Sequence, residues 1–172
     1  MTNYLGMEND RIRLVSCGPE ILRAAVAGAA ELQAVLGVEL ADDWTEFGAR
    51  IFRYSLAKLA EAPESQAWWT YFIIHKADQM LIGTGGYKGP PLEGTVDIGY
   101  EIAPAYRNRG LATEAAKLLT QHALQKKEVQ RVQAHTLVGP NGSTRVLEKA
   151  GFMFIKALDS LDGQIWEWQY QK

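Results

Sequence analysis

The stretch Tyr100–Leu119, YEIAPAYRNRGLATEAAKLL, changes abruptly from one kind of local structure to another. It begins at the end of an alternating apolar and polar run, which is typical of a β-strand. Pro104 ends that run, because proline has no amide to donate to a sheet ladder. A helical pattern of alanine and leucine follows a basic turn that contains Arg107, Arg109 and Gly110. We predict a strand, a short basic turn and a helix in direct succession.

This basic turn has the properties of an anion site. The first amides of a helix lack carbonyl partners, and the helix end carries roughly half a positive charge. Gly110 removes the side chain that would keep an anion off the backbone, and Ala112 is also small. Arg107 and Arg109 add charge suited to phosphate oxygens. The turn predicts a diphosphate site, and the alternative is a solvated basic turn that only caps an amphipathic helix.

Two familiar phosphate motifs are absent from the sequence. The pattern G-x-x-x-x-G-K-[ST] does not occur, so a nucleoside triphosphate loop has no support. The glycine-rich segment GTGGYKG, Gly83–Gly89, lacks the G-x-G-x-x-G spacing and leads into Pro90 and Pro91 rather than into a helix. Its composition favours a strand end and a hairpin connection.

The apolar patterns predict one mixed α/β domain over residues 1–172. TVDIGYEI, residues 95–102, alternates cleanly, and WWTYFIIH, residues 68–75, is rich in aromatic and β-branched residues. Further strands are predicted at 11–17, 79–89, 131–138, 152–158 and 164–171, and further helices at 110–125 and 143–149.

Two helices are predicted between the first and second strands. Apolar residues at helical spacing predict one helix over Glu20–Leu36. The next is predicted to begin at Asp43, with Glu46 completing a capping box. Its predicted apolar stripe consists of Trp44, Phe47, Ile51 and Tyr54.

Three segments together resemble a known family. RNRGLA, residues 107–112, fits the pattern [RQ]-x-x-G-x-[GA], and it lies between VDIGYEIAPAY and TEAAKLL. NGSTRVLEKAGF, Asn141–Phe152, follows near the end of the chain. These segments resemble the GNAT acyltransferase superfamily, especially the branch of the ribosomal-protein N-terminal acetyltransferases. The predicted order of elements from Arg11 to Tyr170 is similar to that fold.

The resemblance implies a mostly antiparallel central sheet of about six to seven strands, flanked by about four helices. The sheet would be splayed between its fourth and fifth strands, which are predicted at 95–102 and 131–138. Members of the superfamily have a bulge in the fourth strand. Pairing of that strand is therefore expected to fail at Ala103–Pro104.

The resemblance also implies an acetyl-CoA-dependent N-acetyltransferase. The acetyl group would move to a primary amine, a protein N-terminus or a small amine, by direct attack on the thioester. The pantetheine arm would run along the strand that ends at Ile102. The pyrophosphate would lie on the turn made of Arg107, Asn108, Arg109, Gly110, Leu111 and Ala112. The alternative function is a non-catalytic CoA-binding sensor or interaction module.

Two residues near the last predicted helix have roles implied by the resemblance. Many superfamily members donate a proton to the leaving thiolate from a tyrosine, but this chain has Leu147 at that position. Ser143 matches a serine that lies near the sulfur in the resembled branch, although serine is also a good helix cap. Asn141 resembles the asparagine that binds the pantetheine arm. Pro140 occupies the more usual position, so Asn141 either shifts register or only turns the chain.

The base that accepts the amine proton is left open by the sequence. Glu101 and Asp97 share one face of the fourth strand, and Glu101 is the first choice because it lies nearer the predicted splay. The alternatives are Asp97, ordered water, or no base at all, with Glu101 as an exposed carboxylate. His75, His122 and His135 have no metal-ligand spacing, so no metal is expected and all three are interpreted as structural, with His135 as a lesser alternative for the site because its strand borders the cleft.

Composition limits the possible partners and location. The net charge of -2 argues against general nucleic-acid binding, which requires a basic face. A single cysteine, Cys17, permits no internal disulfide and is expected to be a buried thiol. The N-terminal stretch lacks the features of a signal peptide, and no apolar run is long enough to span a bilayer. We expect a cytoplasmic protein, and the aromatic face of the last strand fits either a homodimer or internal packing.

Overall fold

The computed structural model of the protein describes residues 5–171. Its strands are β1 (Gly6–Glu8), β2 (Ile12–Ser16), β3 (Glu39–Leu40), β4 (Thr70–His75), β5 (Met80–Tyr87), β6 (Thr95–Ile102), β7 (Arg131–Leu137), β8 (Phe152–Ser160) and β9 (Gly163–Tyr170). Its helices are α1 (Pro19–Ala27), α2 (Ala29–Leu36), α3 (Gly48–Glu61), α4 (Leu111–Leu124) and α5 (Gly142–Ala150), with 3₁₀ turns at Pro63–Trp68 and Pro104–Tyr106.

The described strands form one nine-stranded sheet in the order β1-β2-β4-β5-β6-β7-β9-β8, with β3 beside β5. The pairs are antiparallel except β6–β7 and β3–β5. The predicted fold class, a mixed α/β fold with a mostly antiparallel sheet, is confirmed. The strands β1 and β3 raise the number above the expected six to seven, because each is short and lacks a clear alternating pattern.

The splay lies where it was predicted, between β6 and β7. Their pairing runs from Thr95–Arg131 to Ile98–Ala134 and stops there. On its other side, β6 remains paired with β5 to Ile102, and the amide of Ala103 still donates to the carbonyl of Ile82 (2.7 Å). The ladder ends there and the 3₁₀ turn Pro104–Tyr106 follows, so pairing of β6 with β5 stops at Ala103–Pro104 as predicted. The ladder to β5 is continuous without a bulge, and the gap opens four residues earlier on the β7 side.

Apolar side chains from the two faces of the sheet form two core clusters. On one face Val96, Ile98 and Ile102 of β6 pack with Leu111 and Leu119 of α4. On the other face, Phe72 and Leu81 belong to a second cluster with Ile21, Leu22 and Phe52 from α1 and α3. Burial of each such side chain contributes about 1.5–3 kcal/mol. The two clusters fix β6, with its turn and gap, in the middle of the molecule.

Both helices predicted before β4 differ from the structure. The single helix over Glu20–Leu36 is two helices, because Gly28 (φ 150°, ψ 179°) breaks it with a conformation that favours glycine. The next helix begins at Gly48 and not at Asp43, which has a positive φ of 52°. The predicted stripe is also wrong: Phe47 and Tyr54 are about 60% exposed, and Phe52 is the buried aromatic residue.

The other predicted helices and strands match to within about two residues at most ends. No helix within residues 5–171 is both long enough and apolar enough to cross a bilayer. The aromatic face of β9 packs internally: Trp168 is buried in the α4–α5 core, and Phe154 stacks edge-on to Trp166 and Trp168. That face therefore gives no separate support to a homodimer, which stays a prediction.

Candidate active site

The basic turn before α4 exposes backbone amides as the sequence predicted. Gly110 is the N-cap of α4 in the left-handed conformation (φ 77°, ψ 6°), and Asn108 also has a positive φ of 60°. The amide of Glu114 donates to the carbonyl of Gly110 (3.1 Å), which leaves the amides of Leu111 and Ala112 in the free first turn. No side chain within residues 5–171 caps this end of the helix. The turn therefore has the free amides and open backbone that a diphosphate requires.

The arginines of the turn are held by contacts beyond the local sequence. Nε of Arg107 donates to the carbonyl of Ile102 (2.9 Å), and the guanidinium of Arg109 lies over the Tyr106 ring, 4.9 Å from its centroid. Arg11 was missed from the sequence. Its Nη2 donates to the carbonyl of Arg109 (3.0 Å), and its Nε pairs with Glu114 (3.1 Å). Nothing near Arg11 in the chain signals this contact, because its partners lie about a hundred residues away.

The gap between β6 and β7 is bridged at one point by Tyr100. The Tyr100 hydroxyl donates to the backbone carbonyl of Ser143 at the start of α5 (3.3 Å). Burial raises the pKa of Tyr100, so this hydroxyl stays protonated at neutral pH. Tyr100 was predicted to be core and is only partly buried against it. The contact places the N-terminus of α5 beside the gap that follows Ile98.

At the start of α5 the helix cap is Asn141 and not Ser143. Oδ1 of Asn141 accepts from the Thr144 amide (3.0 Å), and Oγ1 of Thr144 accepts from the Asn141 amide (2.9 Å). Nδ2 of Asn141 donates to the carbonyls of Gly139 and Leu137. These contacts favour the structural role of Asn141, and its contact with pantetheine stays a prediction. The exposed Ser143 side chain does not cap α5 and lies within hydrogen-bond reach of the Tyr100 hydroxyl, so it is open to another role.

Glu101 points to the opposite face of the sheet and holds the loop before α3. Its carboxylate accepts hydrogen bonds from the Thr45 hydroxyl (2.6 Å), the Glu46 amide (3.0 Å) and the Thr84 hydroxyl (3.2 Å). The same Thr45 oxygen accepts from the amide of Gly48, the first residue of α3 (3.0 Å). Thr45 thus takes the capping role that was predicted for Asp43.

The loop that Glu101 holds also closes a small cavity. Thr45 and Trp44 line this space of about 150 Å³ together with Gly28, Leu32 and Phe52. Most of its walls are small or apolar side chains, and Trp44 stacks on Phe52 with 5.7 Å between ring centroids. The cavity therefore lies beside Glu101 and can take a small apolar group.

A second set of charged groups lies on this face, of which sequence reasoning named Asp97 and His135 and missed Glu167. Asp97, His135 and Glu167 form a row across β6, β7 and β9, here called the His135 row. Nδ1 of His135 lies 3.0 Å from Oδ1 of Asp97, and Nε2 lies 3.6 Å from Oε2 of Glu167. Burial alone would raise the pKa of Asp97. The imidazole of His135 and the amide of Gln133, which donates to Oδ2 (3.1 Å), outweigh burial and hold that pKa below its usual value.

The remaining reactive side chains have structural positions. Cys17 is fully buried, its Sγ donates to the carbonyl of Val15 (3.5 Å), and burial raises the pKa of the thiol. His75 lies 3.2 Å from Asp78, and burial lowers the pKa of His122. Within residues 5–171, no group of three or more histidine, cysteine, aspartate or glutamate side chains is arranged to hold a metal ion.

The predicted residues fall into two groups on either side of β6. One group lies between helix α4 and helix α5: the turn from Arg107 to Ala112, the end of β6 at Ile102, and Ser143, which Tyr100 of β6 contacts. Glu101 lies on the opposite face, where the His135 row adds further charge. The first group has free amides at one end and an open gap at the other, which fits a long arm that carries a diphosphate.

Comparison with known proteins agrees with this geometry. The family model of the acetyltransferase (GNAT) domain matches residues 20–153. The uncharacterized N-acetyltransferase YjdG of Bacillus subtilis is 30% identical over 152 residues, which cover 86% of this chain and 89% of the relative. Among solved structures, the ribosomal-protein-S5-alanine acetyltransferase of Vibrio fischeri has a TM-score of 0.70 at 14% identity, and the match covers 96% of this chain and 95% of that one.

A further solved structure was determined with a ligand. The microcin C7 self-immunity acetyltransferase MccE, in complex with acetyl-CoA and AMP, has a TM-score of 0.66 at 15% identity over 95% of this chain and 94% of that one. At such identities the two structures support the fold, whereas the family match covers most of the sequence. The chain therefore belongs to the GNAT acetyltransferase family, is an acyltransferase, and takes acetyl-CoA as its co-substrate.

Proposed function

We propose that this protein, acting as one acetyltransferase domain, transfers the acetyl group of acetyl-CoA to a primary amine by direct attack on the thioester. One observation carries this proposal: the free amides at Gly110, the β6–β7 gap and the exposed hydroxyl of Ser143 follow one another between α4 and α5. Holding both substrates in line lowers the entropic part of the activation barrier for acetyl transfer by roughly several kcal/mol.

The turn is proposed to bind the pyrophosphate. The amides from Asn108 to Ala112 supply hydrogen bonds to phosphate oxygens, and Gly110 lets the anion approach the backbone. Arg107 and Arg109 supply positive charge from positions fixed by Ile102 and Tyr106. The backbone that ends at Ile102 is the proposed neighbour of the pantetheine arm, because its β7 side is unpaired beyond Ile98.

Ser143 is the proposed donor of the proton to the departing thiolate. Its hydroxyl is exposed. The alternative role of Ser143, to cap α5, is filled by Asn141 instead. Glu101 was predicted to be the base that accepts the amine proton. That role stays a prediction, and the three hydrogen bonds Glu101 accepts favour anchoring of the Thr45 loop.

The proposed acceptor is a protein N-terminus or a small amine. Carboxylates of Asp97, Glu101 and Glu167 lie on the acceptor face, which favours a cationic group such as an ammonium. The cavity beside Thr45 has room for a small apolar group next to it. The name of the Vibrio fischeri protein states that it acetylates an alanine of ribosomal protein S5, which supports trying peptide N-termini first.

Location and partners complete the proposal. A cytoplasmic location is consistent with the buried, unpaired thiol of Cys17. The net charge of -2 gives no support to a nucleic-acid partner, and a homodimer is kept as a prediction that light scattering can test.

One observation favours a second candidate function, a CoA-binding module without catalysis. The position at which many relatives have a tyrosine holds Leu147, which is completely buried and offers no proton. A module of this kind would bind acetyl-CoA but acetylate no amine. The exposed hydroxyl of Ser143, which does not cap α5, argues for catalysis instead.

Calorimetric titration of acetyl-CoA into the wild type and into Gly110→Glu tests the donor site. We expect stoichiometric binding by the wild type and loss of binding in the variant, because the glutamate places a side chain and a negative charge where the diphosphate would lie. Gly37→Glu is the matched control, since Gly37 also has a left-handed conformation (φ 70°) and open space around it. If the wild type bound neither acetyl-CoA nor CoA, that result would contradict the proposal.

A further inference from the structure

The imidazole of His135 lies at the point where β6 and β7 part. The last pair of these strands is Ile98–Ala134, so His135 is the first residue of β7 beyond the pairing, and Gly99 is its counterpart on β6. A Cβ added to Gly99 would meet no atom within 4 Å. Open space therefore lies above β6 at the vertex of the gap, on the face that carries Asp97 and Glu101.

We propose that His135 is the base that takes the proton from the acceptor ammonium, and that Asp97 and Glu167 position and stabilise its ring. This inference rests on the proposed function, and it names the base that the sequence left open. His135 would be a catalytic residue, whereas Asp97 and Glu167 would be positioning residues.

The contacts of the ring assign its two nitrogens. Nδ1 lies 3.0 Å from Oδ1 of Asp97, a buried oxygen with no hydrogen-bond partner in the described residues, and a small turn of the ring would let Nδ1 donate to it, so the proton is assigned to Nδ1. Nε2 has no hydrogen bond within residues 5–171, since Glu167 is 3.6 Å away. The lone pair of Nε2 is thus available. The nearby carboxylate of Glu167 stabilises the imidazolium once the proton has arrived.

Acidic side chains lie on two sides of the ring. Asp97 and Glu167 flank it from β6 and β9, and both side chains are largely buried, with exposures of 23% and 11%. Lys88, next to β5, acts on Asp97, and Lys156 of β8 is the cross-strand neighbour of Glu167. Both lysines are exposed and screened by solvent, so the two buried carboxylates dominate the field at the imidazole.

The proton balance is complete without a further reactant. The first proton of the ammonium passes to Nε2, either directly or through one water. The amine lone pair then forms the C–N bond while the C–S bond of the thioester breaks. The second proton leaves the nitrogen and reaches the thiolate through Ser143, and the proton on His135 is released to water.

Two amines of the same shape test the proposal. Phenethylamine is almost fully protonated at neutral pH, whereas O-benzylhydroxylamine, with oxygen in place of one methylene, is almost fully uncharged. His135→Gln is expected to lose at least about 100-fold in kcat/KM with phenethylamine, because general-base catalysis contributes about 10²–10⁴-fold. With O-benzylhydroxylamine the loss is expected to be small, since no proton has to be removed before attack.

Control variants separate this role from structural damage. Glu101→Gln is expected to affect both amines by the same factor, because it loosens the Thr45 loop. His122→Gln replaces a histidine of α4 and is expected to affect neither amine. Equal losses with both amines in His135→Gln, or none, would overturn the proposal and leave the proposed function intact. A wild type that acetylates no amine in the screen contradicts the proposed function itself.

A second measurement does not depend on the acceptor. Long-range nitrogen–proton NMR spectra of the ¹⁵N-labelled protein report which ring nitrogen carries the proton. The His135→Gln spectrum identifies the signals by their absence. We expect a proton on Nδ1 and none on Nε2 at the pH of the assay. The opposite tautomer, or a doubly protonated ring at that pH, would rule out His135 as the base.

Discussion

Ser143 and Asn141 lie two residues apart at the start of α5, yet their side chains are used differently. Asn141 forms a reciprocal cap with Thr144, while the hydroxyl of Ser143 is exposed and takes no part in the cap. From sequence alone both residues were compatible with a cap, since serine and asparagine are equally good at that position. The structure shows that α5 begins at Gly142, which makes Asn141 the cap and leaves Ser143 as the candidate catalytic residue.

Ser143→Ala tests the proton donor at the scale of one residue. We expect kcat to fall about 100-fold, because general acid catalysis contributes about 10²–10⁴-fold. Binding of acetyl-CoA and the melting temperature should not fall, because alanine favours the helix and no cap is lost. Asn141→Ala should instead cost about 1 kcal/mol of unfolding free energy. A Ser143→Ala enzyme with unchanged kcat would show that the thiolate is protonated by another group.

At the scale of elements, Arg11 connects the beginning of β2 to the turn before α4 by hydrogen bonds. Arg11 reaches both the carbonyl of Arg109 and the carboxylate of Glu114. The turn binds a ligand well only if its amides are held in place beforehand, because ordering the turn upon binding would cost entropy. Arg11 therefore acts on the anion site without contacting the anion itself.

Arg11→Ala is expected to weaken binding of acetyl-CoA by about 2–5-fold, since an exposed ion pair contributes about 0.2–1 kcal/mol. Arg13→Ala is the matched control. Arg13 lies on the same strand, is equally exposed and pairs with Glu8 at 2.9 Å, but it does not touch the turn. Calorimetric titration measures both variants. Equal affinity in the wild type and in Arg11→Ala would show that the turn is rigid without this contact.

The elements that the sequence predicted well are those with a repeating pattern. β6 matches residue for residue, because alternation along TVDIGYEI follows from burial of one strand face. The start of α3 was wrong because Asp43 and Glu46 have the local form of a capping box. The structure uses Thr45 and the Glu46 amide instead, and both are held by Glu101, which is about 55 residues away. A partner at that distance leaves no local signal.

At the scale of the whole molecule, the His135 row depends on the strand order. Asp97, His135 and Glu167 meet only because β9 inserts between β7 and β8, and because β6 runs parallel to β7. Each residue alone has the appearance of a polar position on an alternating strand. The anion turn was predictable because its parts are consecutive in sequence, whereas the row is assembled from three segments that span seventy residues.

The same row links the stability of the fold to pH. The pKa of Asp97 is lower in the folded protein than its usual value of about 3.9. Its contribution to stability is therefore fully present above about pH 4 and is lost as the pH falls through the folded pKa. We expect Asp97→Asn to be less stable than the wild type at neutral pH, and the difference between the two to shrink as the pH falls below about 4.

Denaturant unfolding at several pH values measures this difference, and salt provides the control. The pKa of Glu8 is also lowered, mainly by its hydrogen bond with Arg13 and by the charge of Lys76, but its side chain is half exposed. Its contribution should vanish in high salt, since exposed charges are screened. The contribution of Asp97 should persist, because its carboxylate lies largely buried between strands. Parallel pH curves for the wild type and Asp97→Asn would mean that the row adds nothing to folding, and that its charges are retained for another reason.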